Sequence, residues 1–364
     1  MTARDWLLGQ AVRAMLAYKS RPDPIRRALA RHAYSYARPV SAEVIVVGVV
    51  QMRIDLLDDA GAFAEKYYDL IRQAVERGAQ LIVFPEYAWL GMLGLLPPVR
   101  ALAQKGVTLQ GAVEELGAGG GLTIQGVFRT IAPAVQRIFE TVGSELARQF
   151  RVYLMPGSVL TIDQSGRLFN TAYLFGPDGA LIGTQHKLHP TALEKAWMTP
   201  GRELNVLELA FGKLAMPVCM DHTYWETARV AALRGADILL DFSAEEKGNE
   251  YYMAMRGVAA RIQESWAYGT QAYGVTKLFG LNFCGPSNIV APLGVWDDQT
   301  IFMAQTKTHD QEEIIAAQLD LAHLRRWRAA RPRDFNLELY RQYLPRVYEM
   351  YRVRTAQHGK RKIT

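Results

Sequence analysis

The 364-residue chain is long enough for one large domain or two modest ones, and its 49% apolar and 21% charged residues are ordinary for a globular protein. No apolar run approaches the ~18 to 20 residues of a membrane span, and the WLL segment between Asp5 and Arg13 is too short for a signal-peptide core. We therefore expect a cytoplasmic protein without membrane attachment, with Cys219 and Cys284 as reduced thiols. No Cys and His residues have metal-ligand spacing, so no metal site is predicted.

The net charge of +6 is concentrated at the two ends of the chain. Residues 1–40 carry eight Arg and Lys against two Asp, residues 351–364 carry five and no acid, and residues 41–350 are left at −5. Because nucleic-acid-binding domains carry a basic face on the fold itself, this mildly acidic body argues against a nucleic-acid partner.

In chain order, residues 1–40 are predicted to form a basic helical extension in two pieces, 5–16 and 24–37, separated by two prolines. It is expected to pack on the body or on a partner subunit.

The body is predicted to span 41–325 and to begin with a strand, a helix and a second strand. EVIVVGVVQ (43–51) is an apolar, β-branched run, residues 63–80 form an amphipathic pattern ending near a glycine, and LIVFPE (81–86) is the next apolar run. This succession indicates a layered α/β fold.

Residues 90–130 are predicted to be a rim of loop and short helices beside an active site. Later predicted elements are a helix at 127–150, a strand at 152–161, a hairpin at 168–189, a helix near 251–266 and strands at 267–275, 287–294 and 313–321. Residues 326–364 are predicted to form a C-terminal tail with aromatic and leucine residues spaced for docking and a disordered basic end at 360–364.

Three polar residues follow apolar strands: Glu86, Lys187 and Cys219. The ends of neighbouring strands converge on one edge of a layered sheet, so these side chains are expected to meet. A cysteine can attack a carbonyl or nitrile carbon, a carboxylate can serve as its general base, and a lysine can lower the thiol pKa and stabilise an oxyanion. The three residues therefore predict a covalent hydrolase.

These stretches resemble the nitrilase superfamily of carbon–nitrogen hydrolases, whose signature is a Glu–Lys–Cys triad. LIVFPE carries Glu86, HKLHPTALEKAWMTPG carries Lys187 and Glu194, and VCMDHTYWETARVAALRGADILL carries Cys219. The similarity runs from about residue 43 to 320. It implies a four-layer αββα sandwich, a homodimer or higher homo-oligomer, and hydrolysis without a metal or organic cofactor.

The resemblance also suggests roles for residues near the triad. Glu194 is expected to support the lysine, the alternative being a surface charge beside Lys195. Tyr87, Met220 and His222 are candidates for substrate binding, although His222 could equally be a polar residue at a helix start.

Asp221 is expected to cap the helix that follows it rather than to take part in catalysis. Cys284 is expected to be an inert buried thiol.

The branch of the family remains open between three hypotheses. Cys-Met-Asp at 219–221 favours an amide or carbamoyl substrate, hydrolysed through a thioester with release of ammonia or amine. The lysine segment resembles that of nitrilases, which convert a nitrile to an acid. The third hypothesis is a non-catalytic member that acts as a binding or assembly subunit. His222 and Thr223 stand where the family's carbamoylases carry basic residues that hold a substrate carboxylate.

Overall fold

The structure is a computed structural model that describes residues 3–108, 111–112, 115, 123–331 and 336–346. The chain divides into two compact units, Met1–Leu324 and Arg325–Thr364. In the second unit, residues 337–346 are helical, and the basic end predicted at 360–364 lies outside the described residues. The predicted docking role of this tail stays a prediction.

Helices dominate the first part of the chain and recur between the later strands. They are α1 (Ala3–Lys19), α2 (Pro22–Leu29), α3 (Ala60–Glu76), α4 (Pro97–Gln104), α5 (Ile124–Phe150), α6 (Trp225–Leu233), α7 (Glu250–Arg256), α8 (Val258–Ser265) and α9 (Leu321–Ala330), with 3-10 helices at Ala88–Leu95, Glu194–Ala196 and Cys219–Thr223.

The strands are distributed over the whole of the first unit. They are β1 (Val44–Arg53), β2 (Leu81–Val83), β3 (Tyr153–Met155), β4 (Ser158–Ile162), β5 (Leu168–Phe175), β6 (Leu181–His186), β7 (Val206–Leu209), β8 (Gly212–Ala215), β9 (Ile238–Ser243), β10 (Tyr268–Leu278), β11 (Leu281–Phe283), β12 (Asn288–Val290), β13 (Phe302–Gln305) and β14 (Glu313–Asp320).

The strands form two sheets joined at one point. In the first sheet β1, β2 and β3 are parallel, β14 runs antiparallel to β1, and β5 pairs antiparallel with β3, β4 and β6. In the second sheet β8, β9 and β10 are parallel, with β7 and the β12–β13 pair antiparallel at its sides. β1 and β10 pair in parallel only at Met52–Gly274 and Arg53–Val275, which links the two sheets.

Each sheet is covered by helices on one face. Phe63 of α3 and Ile138 of α5 lie in one apolar core with Leu154 of β3, and α1 and α2 contribute to the same core. Ala231 of α6 and Ile262 of α8 form a second cluster with β9. This arrangement gives the four layers of the predicted αββα sandwich.

Two predicted elements, one strand and one helix, are each divided in the structure at a glycine. The strand predicted at 152–161 is two strands, separated at Gly157, whose φ is +93° and whose added Cβ would lie 2.1 Å from the Pro85 carbonyl oxygen. The helix predicted near 251–266 is likewise split at Gly257 into α7 and α8. Both breaks are places where a side chain would collide with backbone.

Within the described residues, no helix combines the length and the apolar character that a membrane crossing requires. The same residues contain no group of three His, Cys, Asp or Glu side chains arranged to hold a metal ion.

Candidate active site

A buried ion-pair network lies where β2 and β6 end. Lys187, directly after β6, places Nζ 2.8 Å from Glu86 Oε1 and 2.8 Å from Glu194 Oε1. The Lys187 and Glu86 side chains are each 1% exposed, and that of Glu194 is 6% exposed. Because charges so buried are costly unless paired and hydrogen-bonded, the three groups depend on one another.

Further donors complete the hydrogen bonds of the two carboxylates. Asn170 Nδ2 donates to Glu86 Oε1 at 2.8 Å, and the Ala244 amide lies 3.3 Å from Glu86 Oε2. Glu194 accepts the Thr191 amide at 2.6 Å and the Tyr87 hydroxyl. Glu194 is therefore a support of the lysine, and its alternative as a surface charge is wrong.

Cys219 begins the 3-10 helix that follows β8. Its φ of +49° lies in the left-handed region, which non-glycine residues rarely adopt and which recurs at functional sites. Cys219 is 5% exposed, and it interacts electrostatically with Glu86 and with Lys187. The structure joins Lys187 to Glu86 directly and leaves Cys219 within electrostatic reach of both, so the complete triad stays a prediction.

The charge balance of the site favours the neutral thiol at rest. Burial raises the pKa of Cys219 well above its usual value, Glu86 raises it further, and Lys187 opposes both. Burial also raises the pKa of Glu86 to about 7. Burial lowers the pKa of Lys187, but Glu86, Cys219 and Glu194 together hold it well above its usual range. Lys187 lowers the thiol pKa, as predicted, but burial and Glu86 outweigh its effect.

Comparison with known proteins assigns the family. The carbon–nitrogen hydrolase family model matches residues 46–329, most of the chain. The chain belongs to the carbon–nitrogen hydrolase family. The resemblance to the nitrilase superfamily is thereby confirmed.

Relatives of this carbon–nitrogen hydrolase carry names from more than one branch. The chain is 28% identical over 280 residues to a nitrilase of Pyrococcus abyssi, covering 76% of this chain and 90% of the relative. It is 28% identical over 211 residues to the omega-amidase NIT2 of Danio rerio, covering 55% and 72%.

Solved structures confirm the fold. Nit3 of Saccharomyces cerevisiae, a member of branch 10 of the nitrilase superfamily, matches with a TM-score of 0.62 at 21% identity, covering 82% of this chain and 98% of that one. An amidase from Nesterenkonia sp. matches with a TM-score of 0.59 at 20% identity, covering 85% and 100%.

Asp221 joins the segment of Lys187 to the segment of Cys219 in this hydrolase. Its fully buried carboxylate accepts the backbone amides of Leu188 at 3.0 Å, His189 at 2.7 Å and Val218 at 2.9 Å. The His189 ring adds a contact at 3.0 Å. The contact with the Val218 amide is local, but the prediction of a helix cap missed the Leu188 and His189 amides, because amides distant in sequence leave no local pattern.

The three candidates for substrate binding lie in different environments. Tyr87 donates to Glu194, and Met220 is half-buried, with its carbonyl accepting the Thr223 hydroxyl at 2.8 Å. His222 is fully buried with Nε2 3.3 Å from the Leu240 carbonyl, and burial lowers its pKa to about 4. Its ring therefore faces β9, which favours the alternative of a polar residue at a helix start.

Two buried polar residues of the site lie inside apolar strands and were not singled out from the sequence. Asn170 lies in β5 and contacts Glu86. Asp241 lies in β9, accepts Gln271 Nε2 at 3.1 Å and Ser243 Oγ at 3.0 Å, and has its pKa raised well above the usual value by burial. A lone polar residue within an otherwise apolar strand was the available signal for both.

Proposed function

We propose that this chain is a cysteine-dependent hydrolase of small amides or carbamoyl compounds that works through a thioester on Cys219. The observation that carries the proposal is the sharing of one buried ammonium, Lys187 Nζ, between Glu86 and Glu194 beside the Cys219 thiol. A nucleophile, a base and a fixed positive charge are the minimum set for acyl transfer without a histidine.

Acylation begins with the proton of the Cys219 thiol. Glu86 interacts electrostatically with this side chain and has a pKa of about 7, so it can accept the proton as sulfur attacks the substrate carbonyl carbon. The negative charge then resides on the substrate oxygen, where the Lys187 ammonium stabilises it. Glu86 returns the proton to the nitrogen as the carbon–nitrogen bond breaks, leaving a thioester and releasing ammonia or amine.

Deacylation repeats these roles with water as the nucleophile. Glu86 removes a proton from water, which attacks the thioester carbon, and the carbon–sulfur bond breaks with return of the proton to sulfur. Glu194 keeps Lys187 charged and in place through both steps. Glu86 alone could not do so, because it alternates between its charged and neutral forms during the reaction.

A nitrilase is the second candidate, and the similarity to the Pyrococcus abyssi nitrilase favours it. The same thiol would add to a nitrile carbon, and water would convert the adduct first to a thioester with release of ammonia and then to the acid. The two candidate functions differ in substrate but use the same four residues, Glu86, Lys187, Glu194 and Cys219.

The test is release of ammonia from a panel of amides, carbamoyl compounds and nitriles, combined with intact-protein mass spectrometry. Cys219→Ala is expected to abolish release and the acyl adduct, whereas Cys284→Ala, which removes the other buried cysteine, is expected to retain both. Release that survives in Cys219→Ala would refute the mechanism.

The panel also separates the alternatives. Turnover of nitriles to acids with no turnover of amides would favour the nitrilase. An inert protein whose Cys219 also fails to react with a small iodoacetamide-type electrophile would favour the non-catalytic alternative. The homodimer remains a prediction, to be tested by sedimentation at micromolar concentration.

A further inference from the structure

A further acidic residue, Glu245, lies near the candidate active site and has no part in the proposed mechanism. The segment after β9 passes the catalytic carboxylate, where the Ala244 amide lies 3.3 Å from Glu86 Oε2. The next residue, Glu245, has its backbone fixed by the Cys284 amide, which donates to its carbonyl at 3.0 Å. The backbone of Glu245 is therefore fixed one residue away from the amide that contacts Glu86.

The charge of Glu245 reaches the reacting groups. Its half-buried carboxylate interacts electrostatically with Cys219 and with Lys187, and it accepts a hydrogen bond from Asn249 Nδ2 at 2.6 Å. Burial raises the pKa of Glu245, and its hydrogen bond with Asn249 opposes that rise. A partly desolvated carboxylate gains more from a cationic partner than an exposed one does.

The donor groups near the site that could hold a substrate carboxylate are already engaged or buried. Lys187 is shared by Glu86 and Glu194. His222, in the segment where carbamoylases of the family carry basic residues, is buried and faces β9. The Thr223 hydroxyl donates to the Met220 carbonyl at 2.8 Å. None of these groups is available to hold a substrate carboxylate.

One arginine near the Cys219 segment could instead attract a substrate that carries a carboxylate. Arg256 Nη2 lies 3.3 Å from the Thr223 carbonyl, and its guanidinium lies 5.0 Å from the ring centroid of Tyr252. It is exposed, so its charge is screened by solvent more than that of Glu245. Arg256 therefore provides the opposing variant in the test.

We propose that Glu245 is a specificity-determining residue that selects amides whose acyl group carries an ammonium or guanidinium, and disfavours those that carry a carboxylate. The proposal rests on the proposed amidase function, since it names the substrate class of that same site. An acyl chain that places a cation near Glu245 forms an ion pair, whereas a carboxylate there meets a like charge.

The experiment compares three series matched in carbon number: ω-amino amides of four and five carbons, the uncharged butanamide and pentanamide, and the anionic succinamate and glutaramate. Wild type is expected to favour the amino amides over the uncharged ones by about tenfold or more in kcat/KM, which corresponds to about 1.4 kcal/mol. In Glu245→Gln this ratio is expected to fall to within about twofold of one.

Glu246→Gln is the matched control. Glu246 is the adjacent acid, is exposed, and accepts the Asn282 amide at 3.2 Å. In this variant the ratio of kcat/KM for the amino amides to kcat/KM for the uncharged amides is expected to equal that of wild type. A ratio lost equally in both variants would mean that general surface charge, and not Glu245, sets the preference.

A binding measurement separates failure of this proposal from failure of the proposed function. The same three series are titrated calorimetrically into Cys219→Ala and into Cys219→Ala combined with Glu245→Gln. Absence of turnover in wild type, together with a Glu245-dependent binding preference for the amino amides, would refute the amidase function and retain the selectivity. Equal affinities would overturn the role of Glu245, as would a preference for the anionic amides that disappears in Arg256→Gln.

Discussion

Two clusters of three charges in this protein have opposite composition and opposite surroundings. In the candidate active site one cation, Lys187, lies between Glu86 and Glu194, and all three side chains are nearly inaccessible to solvent. Where α2 meets α5, one anion, Glu145, lies between Arg26 and Arg148, whose side chains are 60% and 53% exposed. The distances are similar, with Arg26 Nε 2.8 Å from Glu145.

The difference shows that ion-pair distance alone does not measure what a charge cluster does. Water already solvates the arginines of the surface cluster, so pairing adds little, and side-chain entropy and salt reduce it further. The buried cluster has exchanged water for a fixed set of protein donors, so each member becomes indispensable to the others. Burial in this cluster raises the pKa of Glu86 to about 7 against the opposing effect of Lys187, and a carboxylate that titrates near neutral pH is suited to general-base catalysis.

The largest effect is expected from Lys187→Met, which leaves Glu86 and Glu194 buried without their cation. We expect the free energy of unfolding to fall by about 3–5 kcal/mol and kcat/KM by at least about a hundred- to a thousandfold. Denaturant unfolding and ammonia release measure the two. Lys213→Met is the control, because Lys213 is 42% exposed and pairs at 3.4 Å with an exposed glutamate. Similar losses in both variants would remove the contrast between buried and surface pairs.

Asp221→Asn tests whether a buried carboxylate can align the two catalytic segments. The amide side chain is a weaker acceptor for the backbone amides, so we expect a loss of about 2–3 kcal/mol in the free energy of unfolding and a fall in kcat. Asp163→Asn is the control, since that carboxylate also accepts backbone amides but lies at a partly exposed turn. Unchanged kcat in Asp221→Asn would show that the segments align without it.

The sequence predicted those site residues whose positions follow from the order of strands along the chain. Glu86, Lys187 and Cys219 follow strands whose apolar patterns are plain, and convergence of strand ends follows from the layered fold. The family's pattern also located Glu194.

What the sequence did not reveal depends on contacts between distant segments and on solvent access. The amides that Asp221 accepts, the contact of Asn170 with Glu86 and the raised pKa of the thiol all follow from burial that strand patterns do not determine. The burial of His222 against β9 is of the same kind. Pairing of elements could be predicted, whereas the resulting electrostatics could not.

The pH profile is the next prediction. The mechanism requires the charged form of Glu86, and burial raises its pKa from 4.5 to about 7. We therefore expect kcat/KM to fall about tenfold per pH unit below about 7 and to level off above it. An ascending limb near the ordinary carboxyl value of 4.5 would mean that Glu86 is not the base or is not desolvated.

Tyr87→Phe sharpens the comparison within the buried cluster. The hydroxyl donates to the same Glu194 oxygen that Lys187 contacts. Its loss should therefore make the position of the Lys187 ammonium less well defined without removing a charge. We expect kcat to fall by about tenfold or less, equivalent to a single hydrogen bond, with KM nearly unchanged. If KM rises and kcat is retained, Tyr87 instead binds substrate, as the sequence predicted.

The smallest effect is expected from Arg26→Gln in the surface cluster. Glu145 keeps its contact with Arg148, and Arg26 gains hydration when the pair is lost, so the free energy of unfolding should fall by less than about 1 kcal/mol. The difference from wild type should shrink as salt is raised from 0.05 to about 0.5 M, because screening weakens exposed pairs first. Activity should not change. A loss of several kcal/mol that is insensitive to salt would show that α2 is held to α5 by a pair as desolvated as that of Lys187.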